Sequence, residues 1–257
     1  MNIISSLRQR YLNFKRTYYS LFEEGKILKK LRNIHEGKRC FIIGNGPSLT
    51  SDDLDTLKAH KEITFAFNRI YHIFDSTSWR PTYYISQDEK MLAGCQEEVG
   101  EIEAEMKFIP AELEWYSGIK IKGRTLFHLE NCDFSKKPLF SEDIAKRIYN
   151  SRTVVYTAIQ IAVYMGFKEI YLIGVDHHFH TSMNSKGEII VDQSAKDYFS
   201  DKYNEDKENL YIPNTDLSTL SFIAAKEYVD SHNVKIYNAT RGGKLEVFSR
   251  VIFDELF

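Results

Sequence analysis

Arg39-Cys40-Phe41-Ile42-Ile43-Gly44-Asn45-Gly46-Pro47-Ser48 is the stretch on which the fold turns. An unbroken apolar run ending at Gly, Asn, Gly and Pro reads as a strand buried on both faces that stops at a turn. Such a strand belongs to a parallel sheet, because crossover helices cover both of its faces. Ser51-Asp52-Asp53 then precedes Leu54 and Leu57, which predicts a helix capped by Ser or Asp. The order recurs down the chain. Further strands are expected at 63–67, 82–86, 107–109, 125–128, 170–173 and 235–237, with the clearest helices at 154–165 and 217–232. Alternation of this kind predicts an α/β fold: a mainly parallel sheet with helices on both faces.

The chain has 257 residues, enough for one large α/β domain with a modest appendage. The appendage is expected at 1–36. Leu7, Tyr11, Phe14, Tyr18, Leu21 and Phe22 recur at three- and four-residue steps among Arg8, Arg10, Lys15 and Arg16, which predicts a helix over 4–33. Its apolar face either packs on the domain or meets acidic lipid or a membrane-bound partner. Residues 37–257 form the expected domain. Within it, 178–213 is polar and poor in apolar anchors, the mark of a lid, while 111–150 follows neither period.

A net charge of −2 gives no overall field for nucleic acid. Three widely spaced cysteines, Cys40, Cys95 and Cys132, make neither a disulfide framework nor a zinc pattern, and fit a reducing compartment. No apolar run reaches the ~18 residues of a spanning helix, and Arg8 and Arg10 interrupt any signal-peptide core. The expected location is the cytoplasm, at the inner face of the membrane if the basic helix binds lipid.

Chemistry-bearing residues cluster where strands end, the place where open α/β sheets bind ligands. Gly44, Asn45, Gly46, Pro47 and Ser48 form a turn whose glycines admit a close ligand, and whose N–H groups and Ser48 hydroxyl suit phosphate oxygens. It is neither a Walker loop nor a full dinucleotide fingerprint. Asn68 suits a base or ribose, Arg69 a phosphate, and Asp88 a sugar hydroxyl or divalent ion. Asp176, His177, His178 and His180 follow the strand at 170–173, a density that suits acid–base work or phosphate recognition. If that strand continued, His178 and His180 would share a face and His177 would point away. With no Cys nearby in sequence, a structural zinc is not expected. Arg241, in the Gly-containing turn after the last strand, suits a phosphate or a helix C-terminus.

Taken together, Ile42 to Leu49, Asn68-Arg69, Thr153-Val154-Val155-Tyr156, Gly166 to Asp176 and Ile236 to Phe248 resemble the MptE-like family, named for an archaeal 6-hydroxymethylpterin diphosphokinase. Bacterial members of that family often accompany surface-polysaccharide and flagellin-glycosylation genes. The same segments are similar to the small bacterial CMP-sialic-acid sialyltransferases. The resemblance implies a variant GT-A, Rossmann-like nucleotide-binding domain with a lid, and glycosyl transfer from a nucleotide-sugar donor to a glycan acceptor. It places Asn45, Ser48, Asn68 and Thr153 at the nucleotide, Asp176 near its base, and His178 where a phosphate-binding Tyr stands. The sialyltransferases carry their catalytic His just before Asn-Thr-Asp. Here Tyr211-Ile212-Pro213 precedes Asn214-Thr215-Asp216, which moves the base to His178, His180 or a carboxylate such as Asp176. Transfer of this kind requires no cofactor. The diphosphokinase alternative requires Mg²⁺, with Asp88 and Asp176 as its candidate ligands. A third reading is a non-catalytic nucleotide- or glycan-binding subunit, and an oligomer is compatible with the composition.

Overall fold

The computed structural model describes residues 3–204 and 211–257. Eight strands make one sheet: β1 (Arg39–Ile43), β2 (Thr64–Phe67), β3 (Tyr83–Ile85), β4 (Met106–Pro110), β5 (Arg124–Phe127), β8 (Glu169–Ile173), β11 (Lys235–Asn238) and β12 (Ser249–Arg250). Their order is β12-β11-β8-β1-β2-β3-β4-β5, and every neighbouring pair is parallel. The seven strands expected from sequence are all present, each within two residues of its expected ends.

The order explains where a ligand could sit. From β1 the chain steps outward through β2, β3, β4 and β5, then returns to place β8 on the other side of β1. A sheet that reverses direction at one point opens a crevice at the carboxyl ends of the two strands there, here β1 and β8. Right-handed crossovers running in opposite directions from that point put helices on opposite faces. Helix α3 (Ser51–Ala59) joins β1 to β2, and α7 (Thr215–Asp230) joins β8 to β11. Between them lies a core of Phe41, Ile42, Ile43, Phe65, Phe67, Ile170, Leu172 and Ile173, all sealed from solvent.

Helix α6 (Val154–Tyr164) enters β8 and is buried on nearly every side. Its Gln160 organises the segment that resisted sequence reading. Gln160 Oε1 accepts from Ser141 N and Tyr149 N, at 3.0 and 3.1 Å, while its Nε2 donates to Tyr149 O at 2.9 Å. A short parallel pair, β6 (Leu129–Asn131) and β7 (Ile148–Asn150), sits beside it. Polar anchoring across the sequence carries no periodicity, so 111–150 looked patternless. No described helix is long and apolar enough to cross a membrane.

Three expectations need correction. The cap of α3 is Thr50, one residue earlier than read: its hydroxyl accepts from Asp53 N while the Asp53 carboxylate accepts from Thr50 N, a reciprocal capping box. The single helix expected at 4–33 is broken into α1 (Ile3–Thr17), a tight turn at Tyr19–Leu21, and α2 (Glu23–Lys29). The break follows from packing. Tyr19 is fully buried, and α2 lies so close that a Cβ on Gly25 would strike the Tyr19 carbonyl. Finally, of the two roles open to the apolar face, packing on the domain does not occur: Leu7, Tyr11, Phe14, Tyr18 and Leu21 are exposed, whereas Leu12, Tyr19, Leu28 and Leu31 are buried.

Candidate functional site

Gly44 and Gly174 build the floor of the crevice. The Gly44 N–H donates to Ile173 O at 2.7 Å and the Gly46 N–H to Gly174 O at 2.9 Å, so the two strand-end loops stay zipped beyond the sheet. Gly174 has φ +63, and a Cβ there would lie 2.7 Å from the Gly44 carbonyl oxygen. A Cβ on Gly44 would in turn strike the Gly174 carbonyl. Only glycine allows peptide planes to approach this closely. The expectation that these glycine amides cradle phosphate is therefore corrected: those of Gly44 and Gly46 are spent on β8 and its loop.

Asp176 is the centre of the side-chain groups here. The Ser48 hydroxyl donates to its Oδ2 at 2.7 Å, and a Cβ on Gly46 would collide with the same oxygen. From the far side, Lys244 N donates to Asp176 O at 2.7 Å, which brings the loop after β11 against the crevice. Burial pushes the Asp176 carboxyl above its usual range, partly offset by the hydrogen bonds from Ser48. A carboxylate held at the cost of its own ionisation is a mark of functional sites.

Asn45 and Asn68 occupy the ends of β1 and β2. Asn45 Nδ2 donates to Phe67 O at 3.1 Å and to the Tyr203 hydroxyl at 3.3 Å. Its Oδ1 is buried with no hydrogen-bond partner among the described residues. Asn68 adopts φ 49, and its Oδ1 accepts from the Ser86 hydroxyl at 3.0 Å. Arg69 is buried beneath the lid, with Nη1 donating to Tyr203 O at 3.2 Å.

Asp88 caps the short helix α4 (Glu89–Gly94), its carboxylate accepting from Met91 N at 3.0 Å, and burial raises its pKa. Thr153 is the N-cap of α6. One turn on, the Thr157 hydroxyl donates to Gln87 Oε1 at 2.7 Å, tying the start of α6 to the end of β3. Asn45, Ser48, Asn68, Asp88, Thr153 and Asp176 thus all lie along the carboxyl rim of the sheet.

The lid folds over this rim. An antiparallel hairpin of half-buried β9 (Thr181–Met183) and exposed β10 (Ile189–Val191) leads into residues 192–204. Phe199 N donates to Asn45 O at 3.1 Å, and the Tyr198 and Tyr203 rings stack 3.8 Å apart. Burial raises the Tyr203 phenol to about 12, against hydrogen bonds from Asn45, Arg69 and Asn68 that lower it.

The histidines separate. Strand β8 ends at Ile173, so the continuation that would have aligned His178 with His180 does not occur. His177, with φ 52, turns toward α7: its Nε2 lies 2.8 Å from Thr219 Oγ1 and its ring meets Phe222 edge-on. His178 Nε2 donates to Asp192 Oδ2 at 2.8 Å, and Lys244 Nζ lies 3.6 Å from the same oxygen. Hydrogen bonds from Ser194 first and His178 second hold the Asp192 carboxyl well below its usual range. His180 is fixed by its own backbone, whose N–H donates to Asp197 Oδ1 at 2.6 Å.

Arg241 has other partners than those expected: Nη1 donates to Asp53 Oδ1 at 2.6 Å and Nη2 to Asp254 Oδ1 at 2.8 Å, pinning the start of α3 to the C-terminal turn. Sequence reading missed Asp192, Thr157 and the position of Lys244. The first lies in the patternless insert, and the other two acquire their roles only through the crossing of elements.

A chain of known structure with a similar fold is the Maf glycosyltransferase from Magnetospirillum magneticum AMB-1, at 16% identity and a TM-score of 0.53 over 91% of this chain. This chain spans only 39% of that one. A mammalian sialyltransferase in complex with a Gal-β-1-3GalNAc compound aligns over 81% of this chain and 70% of its own, at 12% identity and a TM-score of 0.36, too low to support a shared fold. No protein of curated function matches. The family model described as 6-hydroxymethylpterin diphosphokinase MptE-like matches residues 13–182, which include the β1 loop, the start of α6 and the Gly174–Asp176 strand end, and the chain belongs to that MptE-like family.

Proposed function

We propose that this protein is a glycosyltransferase of bacterial surface-polysaccharide or glycoconjugate synthesis, taking a sugar from a nucleotide-activated donor of CMP type, with an acidic nonulosonate as the candidate sugar. The observation that carries the reading is the crevice at the β1–β8 switch. Its floor is backbone, its walls are Asn45, Ser48 and Asp176, and its roof is an aromatic lid hydrogen-bonded to Asn45. The Maf glycosyltransferase shares the fold, and the variant GT-A assignment belongs to this proposal.

Asn45, Ser48, Asn68 and Thr153 grip the nucleotide in this reading, and Asp176 reads its base. His178 is the general base. Asp192, kept ionised, accepts a hydrogen bond from the Nε2–H and so leaves Nδ1 free of a proton to take that of the acceptor hydroxyl. The hydroxyl oxygen bonds to the anomeric carbon as the bond to the donor phosphate breaks, and the electron pair leaves on that phosphate. Lys244 and Arg69, with the lid displaced, steady the developing charge.

The test is thermal denaturation with CMP, UDP, GDP and ATP, followed by product analysis with a CMP-sugar. A ligand at a hundred times its Kd adds about 2.7 kcal/mol of stability, and cytidine nucleotides are expected to give the largest rise in Tm. No shift with any nucleotide at millimolar concentration would sink the proposal. The family's description carries a second reading, pyrophosphoryl transfer from ATP to a pterin. ATP- and Mg²⁺-dependent release of AMP with a pyrophosphorylated pterin would establish that reading instead.

A further inference from the structure

Helix α1 carries a solvent-facing stripe that the fold leaves uncovered. At about 100° per residue, Leu7, Tyr11, Phe14 and Tyr18 fall within an arc of about 60°, and they are 59%, 55%, 54% and 46% exposed. The opposite side makes the docking contacts, with Leu12 buried and Arg16 Nε 3.6 Å from Glu112 Oε1. Arg8 lies along one margin of the stripe and Arg10 along the other, while Lys15, on the same side as Arg8, is turned back to Glu24 at 3.0 Å. No acidic residue occurs in α1, and residues 7–32 hold eight Lys or Arg against two Glu.

Apolar residues scattered over a surface need no explanation, but a contiguous aromatic stripe does. Arg8 and Arg10 on the two margins, in a helix that itself holds no acid, match a diffuse anionic surface better than the paired charges of a protein interface. We infer that α1 lies in the headgroup region of an anionic lipid bilayer, with Tyr11, Phe14 and Tyr18 toward the acyl chains and the basic margins at lipid phosphates. The contact also sets an orientation. Arg8 Nη2 donates to Trp115 O at 2.5 Å, and Arg16 meets Glu112. Both partners directly follow β4 at its carboxyl end, so a membrane-bound α1 holds that rim of the sheet close to the lipid. If the rim transfers sugars, a clause that rests on the proposal above, the acceptor is a membrane-anchored glycan.

The experiment is co-sedimentation of the full chain with vesicles of phosphatidylcholine alone and of equimolar phosphatidylcholine and phosphatidylglycerol. Expected are at least about tenfold preference for the anionic vesicles, weakening as salt screens the charges, and a loss of about a hundredfold in Tyr11→Ser/Phe14→Ser, from two aromatic side chains no longer buried. Both positions are exposed, so this variant keeps its far-UV circular dichroism. Equal sedimentation with both vesicles, or full binding by the double variant, overturns the inference. So does a dimer, or capture of a soluble protein, that the same variant abolishes while lipid binding is absent in wild type. The nucleotide-induced Tm shift separates the two proposals: its absence in wild type counts against glycosyl transfer, not against the bilayer contact.

Discussion

Asp176 carries the most information of any single residue. Its carboxyl is pushed above the usual 3.8 mainly by burial, so the folded state holds the proton more tightly than the unfolded one. Such a group stabilises the fold below the unfolded pKa, and that stability is lost as pH rises through the folded value. Asp176→Asn, which can still accept from Ser48, is therefore expected to be more stable than wild type at pH 7, with the difference vanishing as pH falls below about 4. Denaturant titrations across that range measure it. Nucleotide affinity is expected to fall by about tenfold or more, from the loss of a charged hydrogen-bond acceptor. A variant no more stable at neutral pH would show that burial does not govern this carboxyl.

At the scale of elements, the 198–204 stretch of the lid is tied to the ends of β1 and β2 through Phe199 and Tyr203. Tyr203 supplies three of its ties: the stack on Tyr198, the hydroxyl beside Asn45, and the carbonyl that accepts from Arg69. Elements held by few contacts open first. Tyr203→Ala is expected to speed cleavage within 192–204 by roughly tenfold in limited proteolysis, as about 1.4 kcal/mol of local stability is lost, while the sheet resists. Unchanged cleavage would mean that the lid is anchored elsewhere. The same scale explains the misread cap of α3. Thr50, Ser51, Asp52 and Asp53 are all capable caps, and the reciprocal bond between Thr50 and Asp53 decides among them.

Across the whole molecule, the strands were legible because each is an apolar run cut off by turn residues, and all seven expected ones are present. The rim was legible for a related reason: polar residues that directly follow buried strands have nowhere to go but the carboxyl edge. Three things were not legible. Which face of α1 docks was left open between two alternatives, and Leu12 and Arg16, not the aromatic stripe, meet the domain. The segment 111–150 depends on Gln160, a partner far along the chain. The histidine cluster dispersed because β8 stops at Ile173 and positive φ values at Gly174 and His177 turn the backbone away from the strand direction that would have aligned His178 with His180. Amide exchange offers a check on the molecule as a whole. The slowest amides are expected in β1 and β8, whose central residues are sealed, and the fastest in the exposed strand at Ile189–Val191. Comparable rates in the two regions would contradict the layered core.

The glycine seam between β1 and β8 bears on how this molecule could acquire a new ligand. Main-chain atoms fix the depth of the recess, and no replacement at Gly44 or Gly174 deepens it, since every other residue adds a carbon where a carbonyl already stands. Selection for a bulkier or differently charged guest would have to act on the side chains around the seam, at the wall positions and in 177–204, rather than on the seam itself.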